Sequence, residues 1–124
     1  MNIEDFLKQH NYRDWKQDKH EYGTAGTGTT THYQKRIDTV KEYEHYPLCA
    51  CNDKLFINIV HSDFIINRHE CSSFEMSLVH ENKAGDWADL KIYSLTEEKL
   101  SANLCKYEVQ LLEMWALFHN TGGE

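Results

Sequence analysis

Four cysteines and eight histidines are the residues of this 124-residue chain best suited to metal or nucleophilic chemistry, so their spacing comes first. Cys49-x-Cys51, His61 and His69-x-Cys71 come nearest to a metal-binding constellation. Thiolate and imidazole are the usual zinc ligands, and residues two apart share one face of a strand. The usual knuckle is Cys-x-x-Cys with a second pair equally well formed, and neither appears. Buried free thiols and surface histidines account for the same residues, so the sequence predicts no metal and no cofactor. Cys71 at a strand start and Cys105 inside a helical pattern are expected to be buried thiols in a reducing cytoplasm.

Two further patterns touch on phosphate chemistry. Asp89-x-Lys91, following a strand that carries Glu75, resembles the acid–acid–lysine arrangement of metal-dependent nucleases, where carboxylates hold Mg²⁺ and the lysine positions water or phosphate. The chain carries four such acid-x-Lys pairs (Asp14/Lys16, Glu81/Lys83, Asp89/Lys91 and Glu97/Lys99), which makes the pattern unspecific. The run from Gly23 to Thr31, with Gly26 and Gly28, invites a phosphate-loop reading. A Walker A loop needs Gly-Lys-Ser/Thr, but Gly28 is followed by Thr29 and no lysine appears between Gly23 and Lys35. The run is therefore expected as a mobile Gly/Thr loop over 22–31, with Gly23, Gly26 and Gly28 available to a ligand or partner. No nucleophile elbow or His-Glu-x-x-His helix accompanies the histidines, so no catalytic residues are predicted.

The more informative surplus is aromatic and acidic. Thirteen basic against twenty acidic side chains leave a net charge of -7, which argues against direct nucleic-acid binding. Six basic and twelve acidic residues lie from Cys49 onward, so the acidity belongs to the second part of the chain. A basic protein is the natural partner. The apolar runs are too short to cross a bilayer, and Met1 leads straight into Asn2-Ile3-Glu4-Asp5, so neither a membrane span nor a signal peptide is expected. Tyr33, Tyr43, Tyr46, Trp87 and Tyr93 exceed what the face burying Ala88, Leu90 and Ile92 accommodates, and such side chains anchor protein interfaces.

The elements that must position these residues follow from periodicity. Ile3, Phe6 and Leu7, continued by Tyr12 and Trp15, predict a short helix over 3–16 capped by Asn2. Strands are expected at Tyr33–Ile37, in parts of Thr39–Tyr46 and over Lys54–His61. Phe74, Met76 and Leu78 alternate with polar residues, as do Ala88, Leu90 and Ile92, which predicts an antiparallel hairpin turning at 81–86. Strict alternation sends Trp87, Asp89, Lys91 and Tyr93 to the face opposite Ala88, Leu90 and Ile92. That face either docks a partner or is covered by residues 1–16, with Trp15 packed on it. Leu100, Leu104, Tyr107, Leu111, Trp115 and Phe118 form one apolar stripe, predicting a helix over 96–119 with Ser94 or Thr96 as its cap.

One α+β domain is therefore expected: an antiparallel sheet of four to five strands packed by a long C-terminal helix, with a short N-terminal helix. A compact acidic domain without a catalytic motif has the profile of a non-enzymatic inhibitor or masking protein, monomeric or dimeric. Toxin-immunity proteins and the anti-CRISPR or anti-defence inhibitors of phages and mobile elements share that profile. Trp87, Asp89, Tyr93, Tyr43 and Tyr46 are its candidate partner-binding residues. The competing class is a small-molecule or nucleotide binder, or a nuclease-like enzyme. If the C-terminal stripe carries the core, Leu111→Ala or Trp115→Ala costs about 2–5 kcal/mol of stability. Thermal melting checks this, and unchanged melting in both variants would place the stripe on the wrong face.

Overall fold

The structure, a computed structural model, describes residues 2–37, 54–81 and 87–122, with 87–93 and 116–122 described as backbone only. Helix α1 (Ile3–Gln9) leads into β1 (Arg13–Glu21), β2 (Gly26–Arg36), β3 (Lys54–Ile66), β4 (His69–Glu81), β5 (Trp87–Leu95) and helix α2 (Glu97–Gly122). The strands pair in chain order as a five-stranded antiparallel sheet. This is the α+β architecture that periodicity predicts, with the sheet at the upper end of the expected strand number.

Two local expectations are overturned. The first helix stops at Gln9 rather than running to 16. Asn2 caps it, its Oδ1 accepting from Asp5 N at 2.8 Å, but Asn11 adopts a left-handed φ of 71° and turns the chain out of the helix. Arg13 to Glu21 then run extended as the sheet's edge strand. The expected loop over 22–31 is instead a tight turn at Gly23–Ala25 followed by the first half of β2. The threonines between the glycines are β-branched and suit a pleated surface, and that preference prevails once β1 and β3 flank them.

The core lies on one face of the sheet. Leu55, Ile57 and Ile59 of β3 and Phe74, Met76 and Leu78 of β4 are all buried on it, with Ile57 paired to Leu78 and Ile59 to Met76. Helix α2 packs on them through Leu100, Leu104, Leu111, Leu112 and Trp115, with Tyr107 partly buried beside them. Thr96 caps α2, its Oγ1 accepting from Lys99 N at 3.2 Å, and the helix kinks at Asn103. Helix α1 joins this same core through Leu7 and so does not cover the other sheet face, which Trp15 reaches while remaining 54% exposed. Phe118 falls among the backbone-only residues. None of the described helices is long and apolar enough to cross a membrane.

Inside this core sit two charges that the apolar pattern does not announce. Lys35 of β2 pairs with Glu108 of α2, and both side chains are buried. Tyr12, just beyond α1, donates its O–H to Glu108 Oε2 at 2.6 Å, and its ring lies 4.8 Å from Lys35 Nζ. Removing one member of such a pair strands a buried charge, which typically costs about 3–5 kcal/mol, while replacing both by apolar groups is often neutral. Lys35→Met is thus expected to lower stability by about that amount, and Lys35→Met with Glu108→Leu to recover most of it. Denaturant unfolding of the two variants tests the pair.

Candidate binding surface

Because β-strand side chains alternate, burying Leu55, Ile57, Ile59, Phe74, Met76 and Leu78 sends their neighbours to the opposite face. Phe56, Asn58 and Val60 of β3 stand there beside Glu75, Ser77, Val79 and Glu81 of β4. The register extends this face in rows across the strands: His32, Val60 and Glu75; Gln34, Asn58 and Ser77; Phe56 and Val79. Strand β1 adds Trp15 and Lys16 at a register irregularity between Asp14 and Lys16, so Trp15 is the extra residue of a bulge. Together they line a groove of about 530 Å³, and no described helix packs on it.

The groove mixes apolar walls with unevenly distributed charge. Trp15 and His32 stack at 5.6 Å with their rings tilted by 56°. Asp18 Oδ2 lies 3.7 Å from Lys16 Nζ and 3.5 Å from His32 Nε2, so the groove's lysine already has a counter-charge. Glu75 and Glu81 face it from β4. Between them Asn58 Oδ1 is fully buried and has no hydrogen-bond partner among the described residues. A buried acceptor left in that condition costs free energy that a bound donor would recover.

The proposed site residues distribute unevenly over this frame. Trp87 and Asp89 stand opposite Glu81 and Val79, in the rows of the groove, and Lys91 stands opposite Ser77. A second irregularity, between Met76 and Ser77, breaks the alternation, so Tyr93 stands opposite the buried Met76 instead of sharing the row pattern of Trp87. Tyr43, Tyr46, Cys49 and Cys51 lie outside the described residues. Glu75 pairs with Ser94 while Asp89 pairs with Val79, four residues further along β4. That is about 13 Å at a strand's rise, too far for two carboxylates to share one metal ion. Trp15, Phe56 and Asn58 carry no signature that sequence alone could single out, because their importance comes from the rows they join.

The histidine–cysteine constellation is likewise split by the pleat. His61 lies on the helix side, stacked on Phe74 at 4.2 Å, with Nε2 2.9 Å from Ser72 Oγ. Burial lowers its pKa below the usual imidazole value, against the opposing pull of Asp63 and Glu97. His69 and Cys71 pair with Ile66 and Phe64 and therefore belong to the other face. Among the described residues no three His, Cys, Asp or Glu side chains stand close enough to hold a metal ion. Cys71 and Cys105 are free thiols, but exposed rather than buried as expected.

The three glycines serve shape. Gly23 lies in the β1–β2 turn, and Gly26 has a φ of 147° and so close an approach to β3 that a Cβ would meet the Ile65 carbonyl oxygen at 1.8 Å. Gly28 lies under the Phe64 ring, whose Cδ1 would stand 1.9 Å from any added Cβ. That ring also stacks on His20 at 5.7 Å, closing the end of the sheet. Comparison with known families, curated proteins and solved structures finds no match, so the surface is read from its own chemistry. Gly28→Ala is expected to lower stability by about 1–3 kcal/mol through overpacking against Phe64. A combined measurement of melting and binding checks this, since a ligand-contacting glycine would lose binding with its melting unchanged.

Proposed function

We propose that this protein is a non-enzymatic binding protein that docks a basic protein through the sheet face on which no described helix packs, and masks it. The observation that carries the reading is the groove on that face, walled by Trp15, Phe56, Val60 and Val79 around the orphaned Asn58 oxygen. Aromatic and aliphatic side chains at the centre of a patch supply most of the affinity in protein interfaces, while surrounding charges set orientation and association rate. A buried acceptor calls for a donor, and lysine and arginine side chains only donate. Among the residues lining the groove Glu75 and Glu81 outnumber Lys16, and the chain as a whole carries -7. Trp87 and Asp89 continue the face onto β5 at their register positions.

An inhibitor or immunity protein acting in a bacterial cytoplasm is the form of this function that fits best, because masking needs a complementary surface and no catalytic group. A small-molecule binder is the second reading, favoured by the groove volume, which falls within the range of ligand pockets. Trp15→Ala, Phe56→Ala and Trp87→Ala are each expected to weaken partner binding by about 1–4 kcal/mol with little change in melting temperature. Capture from bacterial lysate by the parent chain and the three variants provides the test. A stoichiometric basic protein retained by the parent and lost from the variants supports the reading. Capture that survives all three substitutions, or a groove filled by a small molecule, overturns it.

A further inference from the structure

The helix side of the sheet carries a second recess, and its chemistry differs from that of the groove. Beyond Tyr33 and His61 this face is no longer apolar: Thr29 and Thr31 of β2, Gln17 of β1 and Asp63 of β3 occupy the positions that continue the core rows. The start of α1 overhangs them, enclosing a notch of about 420 Å³. Three carboxylates, Glu4, Asp14 and Asp63, border it, and no lysine or arginine does. The nearby Lys8 is held on α1, its Nζ 3.0 Å from Glu4 Oε1. At the notch wall Tyr33 is only 4% exposed, and its phenol makes no hydrogen bond among the described residues. Burial raises its pKa above the usual phenol value, and the negative charges of Glu4 and Asp14 raise it further.

From this arrangement we infer that the notch is a binding site for the ammonium or guanidinium group of a lysine or arginine side chain presented by a basic protein segment. The inference rests on the basic partner proposed above, and it places a second contact on that partner. A divalent metal does not suit the notch, since no three of the described acidic, histidine or cysteine side chains are near enough to share one. An organic cation does suit it. A guanidinium suits it best, because its five N–H donors are spread over a planar fork and can reach separated carboxylates and the Tyr33 oxygen together, while an ammonium brings three donors on one nitrogen. The position also links the two surfaces. Asp14 borders the notch and the next residue, Trp15, borders the groove, so a segment crossing the β1 edge reaches both.

The test uses the full chain with ring-labelled tyrosine and three blocked tripeptides: Gly-Lys-Gly, Gly-Arg-Gly and, as neutral control, Gly-Gln-Gly. The lysine or arginine peptide is expected to shift the Tyr33 ring resonance saturably at neutral pH, and the arginine peptide, still charged where a phenol titrates, to lower the Tyr33 midpoint, because a bound cation favours the phenolate. The glutamine peptide should do neither. Asp14→Asn and Asp63→Asn should each weaken the cationic peptide about three- to fivefold, the upper range for a solvent-accessible ion pair. Tyr33→Phe, followed by titration calorimetry because it removes the reporting ring, should weaken it while the fold persists, and Glu113→Gln, an exposed site on α2, should change nothing. Absence of a saturable Tyr33 shift overturns the inference, as does an equal effect of Glu113→Gln, which would mean unspecific charge attraction. If the peptides fail while Trp15→Ala still abolishes partner capture, the notch falls and the groove stands. If they bind at Tyr33 while capture ignores the groove variants, the groove falls and the notch stands.

Discussion

The buried pair of Lys35 and Glu108, with Tyr12 bonded to the same carboxylate, is the interaction on which both surfaces depend. It ties together three segments far apart in the chain: the exit of α1, the end of β2 and the inner face of α2. Its energetic value lies less in net stabilisation than in what it forbids. Separating the partners leaves a charge in the core, so the arrangement tolerates no sliding of β2. Side chains alternate strictly, and a shift of one residue would bury Gln34 and Arg36 and turn Tyr33 and Lys35 outward. With Lys35 held inward, His32 and Gln34 must line the groove and Tyr33 must border the notch. A single ion pair thereby sets which chemistry each face of the sheet displays.

The far end of the sheet is governed by steric constraint. Asn67 and Arg68 both adopt left-handed φ values, the requirement of a two-residue hairpin that matches strand twist. Asn67 N donates to Ala25 O at 2.7 Å and joins this hairpin to the β1–β2 turn. Gly28 leaves the space that Phe64 occupies, and Gly26 allows the close approach to β3. These contacts hold together the end of the sheet where its two turns meet. Strand β1 closes the other side of both recesses as an exposed edge. Its charged residues and the bulge at Trp15 oppose edge-to-edge pairing with another strand, while leaving its side chains open to a partner.

How far the fold could be read before the structure depended on whether its signals were local. The stripe of α2 and the alternation of β4 and β5 were legible because helix and strand periods differ and the apolar residues follow them cleanly. The candidate surface was legible only in part. The opposite face of the hairpin was identifiable by alternation, and Trp87 and Asp89 keep their place on it, but the irregularity beside Met76 moves Tyr93 to another row. A bulge is one inserted residue with no compositional mark, so period-two reasoning carries across it unaware. The Gly/Thr segment was misread for a related reason. Glycine weakens a strand considered alone, whereas here it is required by an aromatic ring from a strand more than thirty residues away.

By itself the sequence determined the fold class, the long core helix, the cap at Asn2 and the acidity that directs attention to a basic partner. These are properties of short windows or of total composition, and they survive whatever the rest of the chain does. Tertiary structure alone decided that α1 joins the core and leaves the second sheet face without a described helix, and that Lys35 and Glu108 meet inside that core. It also decided that His61 and Cys71 are parted by the pleat, and that Trp15, Phe56 and Asn58 form one groove. Each of those facts requires the register between strands distant in sequence. Register is selected by the simultaneous burial of apolar rows and the pairing of buried charges, conditions that no single stretch of sequence contains.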